Sequence, residues 1–172
     1  MNPKIEFIVP NIYKLDTVQC DIAVLCLYSD DWPLRGVPSF IDWRLNGKIS
    51  KLKEKGWITS RKGEKILCTL NKKFPFEKLL IIGMGVSNKF FSEKDLEFAY
   101  RETLTTLLKL KIHSFLFDII AKQNDNLLTP TDRINILFDC LKEIPEYFEI
   151  ILVEEIEAQK EIKDYLSSKN NI

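Results

Sequence analysis

The stretch KLLIIGMGVSNKFFSEKD, Lys78 to Asp95, decides the fold. An apolar run of strand length, 78–84, ends in the turn Gly83-Met84-Gly85. Ser92, with Asp95 three residues on, resembles a capping box. Leu96, Ala99, Tyr100, Thr103, Leu104, Leu107 and Leu108 then recur at helical spacing. A strand that passes through a glycine turn into a capped helix is half of a β-α-β unit, and such units build sheets covered by helices. Turns of this kind also hold phosphates in nucleotide-binding proteins. Gly83, Met84, Gly85, Val86, Ser87 and Asn88 are therefore the candidate ligand-binding segment.

The match to a dinucleotide fingerprint is partial. Gly83 and Gly85 occupy its first two glycine positions, but Asn88 stands at the third. Thr105 stands where an acidic residue is expected, and no Lys-Ser or Lys-Thr follows as in a P-loop. Two readings stay open. The glycines let a strand end turn sharply, or the turn offers amide groups to an anion.

Outward from this unit the same alternation continues. Strands are expected at 4–9, 20–28, 64–70, 114–120 and 147–154, which gives a sheet of about six with 78–84 included. The run at 20–28 is nearly continuous in apolar residues, as in a strand covered on both faces. Phe40, Ile41, Leu45, Ile49 and Leu52 predict a helix opened by Pro38, closed by Gly56 and broken near Asn46-Gly47. Thr129-Pro130 opens another helix, which Pro145 ends, and a weaker one covers roughly 155–167. The loop 71–77 is too short for a helical crossover, so its two strands are antiparallel neighbours or are joined to a non-adjacent strand. These patterns predict one three-layer α/β/α domain over 1–167 with a mixed, mostly parallel sheet, and a frayed tail at 168–172.

Composition bounds the function. Lysine plus arginine and aspartate plus glutamate both number 25, so the formal net charge is zero, which argues against a nucleic-acid binder. Lys48, Lys51, Lys53, Lys55, Arg61, Lys62 and Lys65 cluster in sequence and read as a solvated helix face and turn. No apolar stretch is long enough to span a membrane, and the N-terminus does not read as a signal peptide, so a cytoplasmic location is expected. Cys20, Cys26, Cys68 and Cys140 form no C-x-x-C pair and read as buried free thiols.

Side chains suited to catalysis are scarce. His113 is the only histidine and is expected in a loop or at a strand edge, so neither a metal site nor a nucleophile-base pair is expected. The acidic pairs Asp30-Asp31 and Glu154-Glu155 adjoin strand ends, where neighbours point apart. No cofactor is expected. Of the three tryptophans, Trp32 lies in a loop-like stretch fit to anchor a partner, whereas Trp43 and Trp57 read as core or half-buried.

Taken together, CDIAVLCLYSDD (20–31), IDWRLNGKISKLKEKGWITSRKGEKILCTL (41–70) and EKLLIIGMGVSNKFFSEKDLEFAYRETLTTLLKLKIHSFLFDI (77–119) resemble the N-terminal domain of the leucine (cytosol) aminopeptidases. Asp21, Gly47, Leu52, Gly56, Trp57, Gly63, Glu64, Gly83 and Gly85 fall on that family's pattern, over roughly 1–155. The resemblance implies a macro-domain-like fold. It also implies that the two-metal site and the catalytic lysine and arginine belong to a separate C-terminal domain, whose NTDAEGR stretch is absent here. No catalytic or metal residue carries over. The resemblance thus implies a stand-alone, non-catalytic module for assembly, protein interaction (with itself or a partner) or regulation. The alternative is a macro-like binder of a nucleotide, ADP-ribose or another phosphorylated small molecule near Gly83 and Gly85.

Overall fold

The computed structural model describes residues 3–70, 74–87, 92–118 and 128–169. Asn88 of the candidate segment lies outside them. The elements follow in the order β1 (Lys4–Ile8), α1 (Ile12–Leu15), β2 (Ile22–Tyr28), α2 (Gly36–Arg44), α3 (Lys48–Glu54), β3 (Lys65–Thr69), β4 (Lys78–Gly85), α4 (Glu93–Leu110), β5 (Ser114–Asp118), α5 (Pro130–Lys142), β6 (Glu149–Val153) and α6 (Ile156–Lys169). The six strands lie side by side as β1-β6-β5-β2-β4-β3. Every pairing is parallel except β3 with β4, which resolves the short 71–77 connection as joining antiparallel neighbours.

Strand β2 is buried at every position, as its continuous apolar run requires. Its side chains alternate between two cores. Ile22, Val24 and Cys26 pack with residues of α4, α5 and α6, including Leu104, Leu137 and Ile162. Ala23, Leu25 and Leu27 pack with Leu15, Val37, Ile41 and Ile49 of α1, α2 and α3. Burying both faces of one sheet gives the three-layer α/β/α arrangement. Among the described residues no helix is long and apolar enough to cross a membrane.

Connectivity fixes where a ligand would sit in such a sheet. The chain leaves β2 through α2 and α3 toward β3 on one side, and leaves β5 through α5 toward β6 on the other. Neighbouring strands with diverging connections open a crevice at their C-terminal ends.

Local sequence explains the helix ends. The expected capping box of Ser92 with Asp95 is present, and the structure adds a second, Thr129 with Asp132. The break near Asn46-Gly47 is real, with φ of 56° and 73° at the two residues. Asp42 spans that break. Its buried carboxylate accepts from the amides of Ile49 (2.7 Å) and Ser50 (3.2 Å) and from the Ser50 hydroxyl (2.5 Å). The side chain of α2 thus caps the first turn of α3. One expectation needs correction. Helix α2 starts at Gly36, so Pro38 is its third residue rather than its first. Helix α5 ends at Lys142, before Pro145. The four-residue α1, capped by Asn11, has too little periodicity to be read from sequence.

Replacing Asp42 with alanine leaves three buried or half-buried donors without their acceptor. The change should lower stability by about 2 kcal/mol, read as a drop in the urea midpoint at unchanged slope.

Candidate functional site

The C-terminal end of β4 is closed by a turn from an earlier part of the chain. The Glu64 carboxylate accepts from the Thr59 amide (3.0 Å), the Thr59 hydroxyl (2.8 Å) and the Ser60 amide (2.6 Å), which folds residues 59–64 into a tight loop. That loop lies on the strand end. The Gly85 amide donates to the Ser60 carbonyl (2.9 Å), the Gly83 amide to the Glu64 carbonyl (2.8 Å), and the Gly63 amide to the Gly83 carbonyl (2.9 Å). A Cβ on Gly83 would collide with the Arg61 carbonyl oxygen and lie 2.7 Å from the Ser60 carbonyl carbon. Gly85 has φ of 81°, the left-handed region that favours glycine.

The remaining candidate residues sit around this closure. Met84 is buried in the core with α4, and Val86 is exposed. The Ser87 amide and hydroxyl both donate to the Asp30 carboxylate, at 2.8 and 2.5 Å, which ties the β4 turn to the β2 turn. These two bonds hold the Asp30 carboxyl below its ordinary pKa. The amides of Gly83, Gly85 and Ser87 are thus engaged within the protein.

Lys53 corrects the expectation of a solvated basic face. It is half-buried, and its ammonium donates to the Tyr28 carbonyl (2.8 Å) and the Ser60 hydroxyl (3.4 Å). Desolvation lowers its pKa, against the opposing charges of Asp31, Asp30 and Glu64. Lys48, Lys51, Lys55, Arg61, Lys62 and Lys65 are exposed as expected.

At the end of β6, Glu154 is buried and pairs with buried Arg133 of α5 at 3.0 Å. Arg133 also donates to the Leu128 carbonyl (3.4 Å), and its own carbonyl accepts from Tyr100 (3.3 Å). The next residue, Glu155, is exposed, so this acidic pair does point apart. His113 precedes β5 and lies half-exposed near Glu146. All four cysteines are free; Cys26 and Cys140 are buried, whereas Cys20 and Cys68 are only partly so. Burial pushes the Cys20 thiol up to about 12 and the Cys140 thiol up to about 11, which leaves little thiolate at neutral pH. Among the described residues no cluster of histidine, cysteine and carboxylate side chains is placed to hold a metal ion.

The other prominent surface is aromatic. Trp32 is 56% exposed in the loop before α2. Trp43 on α2 and Trp57 after α3 are 68% and 72% exposed, which overturns their reading as core or half-buried residues. Tyr13 on α1 is exposed in the same helical layer. Ile41 and Ile49 of the expected stripe fill the core side of α2 and α3, and Trp43, which is not on that stripe, is exposed.

Strand order and layers define a macrodomain-like α/β protein. The Mycobacterium tuberculosis DarG macrodomain is similar at 11% identity, with a TM-score of 0.67 over 90% of this chain and 100% of that one. A Trypanosoma brucei macrodomain solved in complex with ADP-ribose is similar at 17% identity and a TM-score of 0.70, over 94% and 68%. A tomato leucine aminopeptidase mutant is similar at 12% identity and a TM-score of 0.61, over 94% of this chain and 35% of that one. Identities this low establish the fold alone. No curated protein matches the sequence. The model of the cytosol aminopeptidase family, N-terminal domain, matches residues 24–130, and the chain belongs to that family.

The two glycines should respond differently to alanine. Gly83→Ala forces apart two backbone segments and should cost about 3 kcal/mol. Gly85→Ala meets the Lys62 Cβ at 3.3 Å in a strained backbone and should cost about 1–2 kcal/mol. Urea unfolding of both variants checks the order.

Proposed function

We propose that this domain is a non-catalytic protein-binding module of the aminopeptidase N-terminal type, serving assembly or regulation, and that it docks through the α1–α3 layer. The observation that carries this reading is the exposure of Trp32, Trp43 and Trp57 in that one layer. Tryptophan is strongly enriched among residues that dominate binding energy. The engaged amides of Gly83, Gly85 and Ser87 favour a closed turn over an anion cradle. The raised thiol pKa values and the single half-exposed histidine fit a module without catalytic chemistry. Free cysteines fit the reducing cytoplasm.

Affinity capture with the tagged domain, compared with a Trp32→Ala, Trp43→Ala, Trp57→Ala variant, tests this reading. The wild type should retain a defined protein, a second copy included, and the variant should retain at least about tenfold less. A monomer by light scattering that retains nothing overturns it.

A second reading is favoured by the similar Trypanosoma brucei structures with ADP-ribose and with ADP and by the rule that such sheets bind ligands at the C-terminal ends of their strands. In it a phosphorylated small molecule lies near Gly83, Met84, Gly85, Val86, Ser87 and Asn88. ADP-ribose or ADP at about 100 times its Kd should then raise Tm by about 5–10 °C. No shift at millimolar ligand removes this reading.

A further inference from the structure

We infer that two copies of this chain join their sheets edge to edge, with β3 of one pairing antiparallel to β3 of the other about a twofold axis. This surface is the sheet edge rather than the tryptophan-bearing layer, and it goes beyond the reading above. Among the described residues the sheet ends at β1 on one side and at β3 on the other. An edge strand presents unpaired N–H and C=O groups that can template a further strand. Edge β1 is blunted. The Lys4 amide donates to Phe148 and so turns toward β6, which leaves Pro3, Ile5, Phe7 and Val9 facing outward. Pro3 has no N–H, the Val9 carbonyl already accepts from the Asn11 amide (2.7 Å), and the strand carries the exposed pair Lys4 and Glu6 at 2.9 Å. Proline and charge are common protections of a free edge.

Edge β3 lacks these guards. Its sequence, KILCT, holds no proline, and its one charged residue, Lys65, is drawn to Glu102 of α4 at 2.5 Å. The Leu70 amide donates to the Glu77 carbonyl and the Gly83 amide to the Glu64 carbonyl, so Glu64 and Leu70 face β4, and by alternation Ile66 and Cys68 do too. Lys65, Leu67 and Thr69 therefore turn their N–H and C=O groups away from the sheet, and all three are exposed. Among the described residues Leu67, 48% exposed, is the single large apolar side chain exposed within a strand.

The strand is complementary to its own reverse. With Leu67 opposite Leu67 of the second copy, Lys65 meets Thr69 and Ile66 meets Cys68. The outward groups of Lys65, Leu67 and Thr69 then exchange about six backbone hydrogen bonds. The two Leu67 side chains cover each other on the face that carries Lys65 and its α4 partner. On the other face Ile66 and Cys68, which already pack against the core beneath α1–α3, extend that apolar layer across the junction. The two Lys65 residues stand about 13 Å apart along the strands, beyond the screening length of about 8 Å at physiological salt. A second copy thus gives Leu67 an apolar partner and sets no like charges against each other.

Sedimentation velocity over a concentration series tests the inference. A junction of one short strand pair is a small interface, so the expected monomer–dimer Kd is on the order of 100 μM. Leu67→Lys sets two cations opposite each other at the axis and should raise that Kd at least about tenfold, and Leu67→Glu should do the same. An equimolar mixture of these two variants should associate again, because position 67 faces position 67. Ile66→Cys, oxidised with diamide, should form a disulfide with the native Cys68 of the second copy, since residues opposite each other at a non-hydrogen-bonded position lie close enough for one. The resulting dimer on a non-reducing gel should disappear when Cys68→Ser is added. Unchanged urea midpoints, measured where every variant is monomeric, exclude misfolding as the cause. Association should persist in the Trp32→Ala, Trp43→Ala, Trp57→Ala variant. A chain that stays monomeric throughout the series, association that Leu67→Lys leaves intact or that the tryptophan variant abolishes, or Lys and Glu variants that fail to associate on mixing overturns the inference. Tryptophan-dependent capture of another protein by a chain that forms no such dimer overturns this inference alone and leaves the protein-binding reading standing.

Discussion

The close approach of the Ser60–Arg61 backbone to Gly83 is the constraint on which the rest of the structure depends. A side chain at position 83 would push the 59–64 turn off the end of β4. That turn supplies the carbonyls that accept from Gly83 and Gly85. It also carries Ser60, whose hydroxyl receives Lys53. The turn in turn depends on Glu64, which draws in Thr59 and Ser60. Four of the residues on which the family resemblance rests, Gly63, Glu64, Gly83 and Gly85, are therefore one packing device rather than separate motif positions.

This device also places the helical layer that bears the aromatic surface. Helix α3 is tied at its start to α2 through Asp42 and toward its end to β2 through Lys53 and the Tyr28 carbonyl. Ile49 and Ile41 supply the apolar contact beneath. With those inward positions filled, Trp43 on α2 and Trp57, three residues past the end of α3, stand in solvent. The packing that closes the strand end thus presents the surface to which a binding role is attached.

The fold was legible in the sequence because strand and helix periods differ, and because its signals are local. The apolar run of β2, the two capping boxes and the Asn46-Gly47 break each depend on residues a few positions apart. The site was less legible. That Gly83 packs on Arg61, that Ser87 binds Asp30 across 57 residues, and that Lys53 reaches Tyr28 are long-range facts, which no spacing rule carries. Gly83 and Gly85 are compatible with a phosphate turn and with a closed strand end, since both need glycine. The tryptophans failed for a related reason. A large aromatic reads as core by default, and only its place in three dimensions shows that it stands outside the packed positions.

The zero net charge illustrates the same limit at the scale of the whole domain. It averages a basic run from Arg35 to Lys53 against an acidic one comprising Glu143, Glu146, Glu149, Glu154, Glu155, Glu157 and Glu161. The first lies on α2 and α3, which lead from β2 toward β3. The second lies around β6 and α6, on the other side of β2 in the sheet. Charges at opposite ends of a domain lie beyond the screening length at physiological salt and do not neutralise one another. A partner approaching α2 and α3 therefore meets a cationic, aromatic surface, whatever the sum over the chain. What composition excludes is a uniformly basic binder of nucleic acid; it does not describe any one face, because the single carboxylate between Trp32 and Lys53, Asp42, is itself engaged in capping α3.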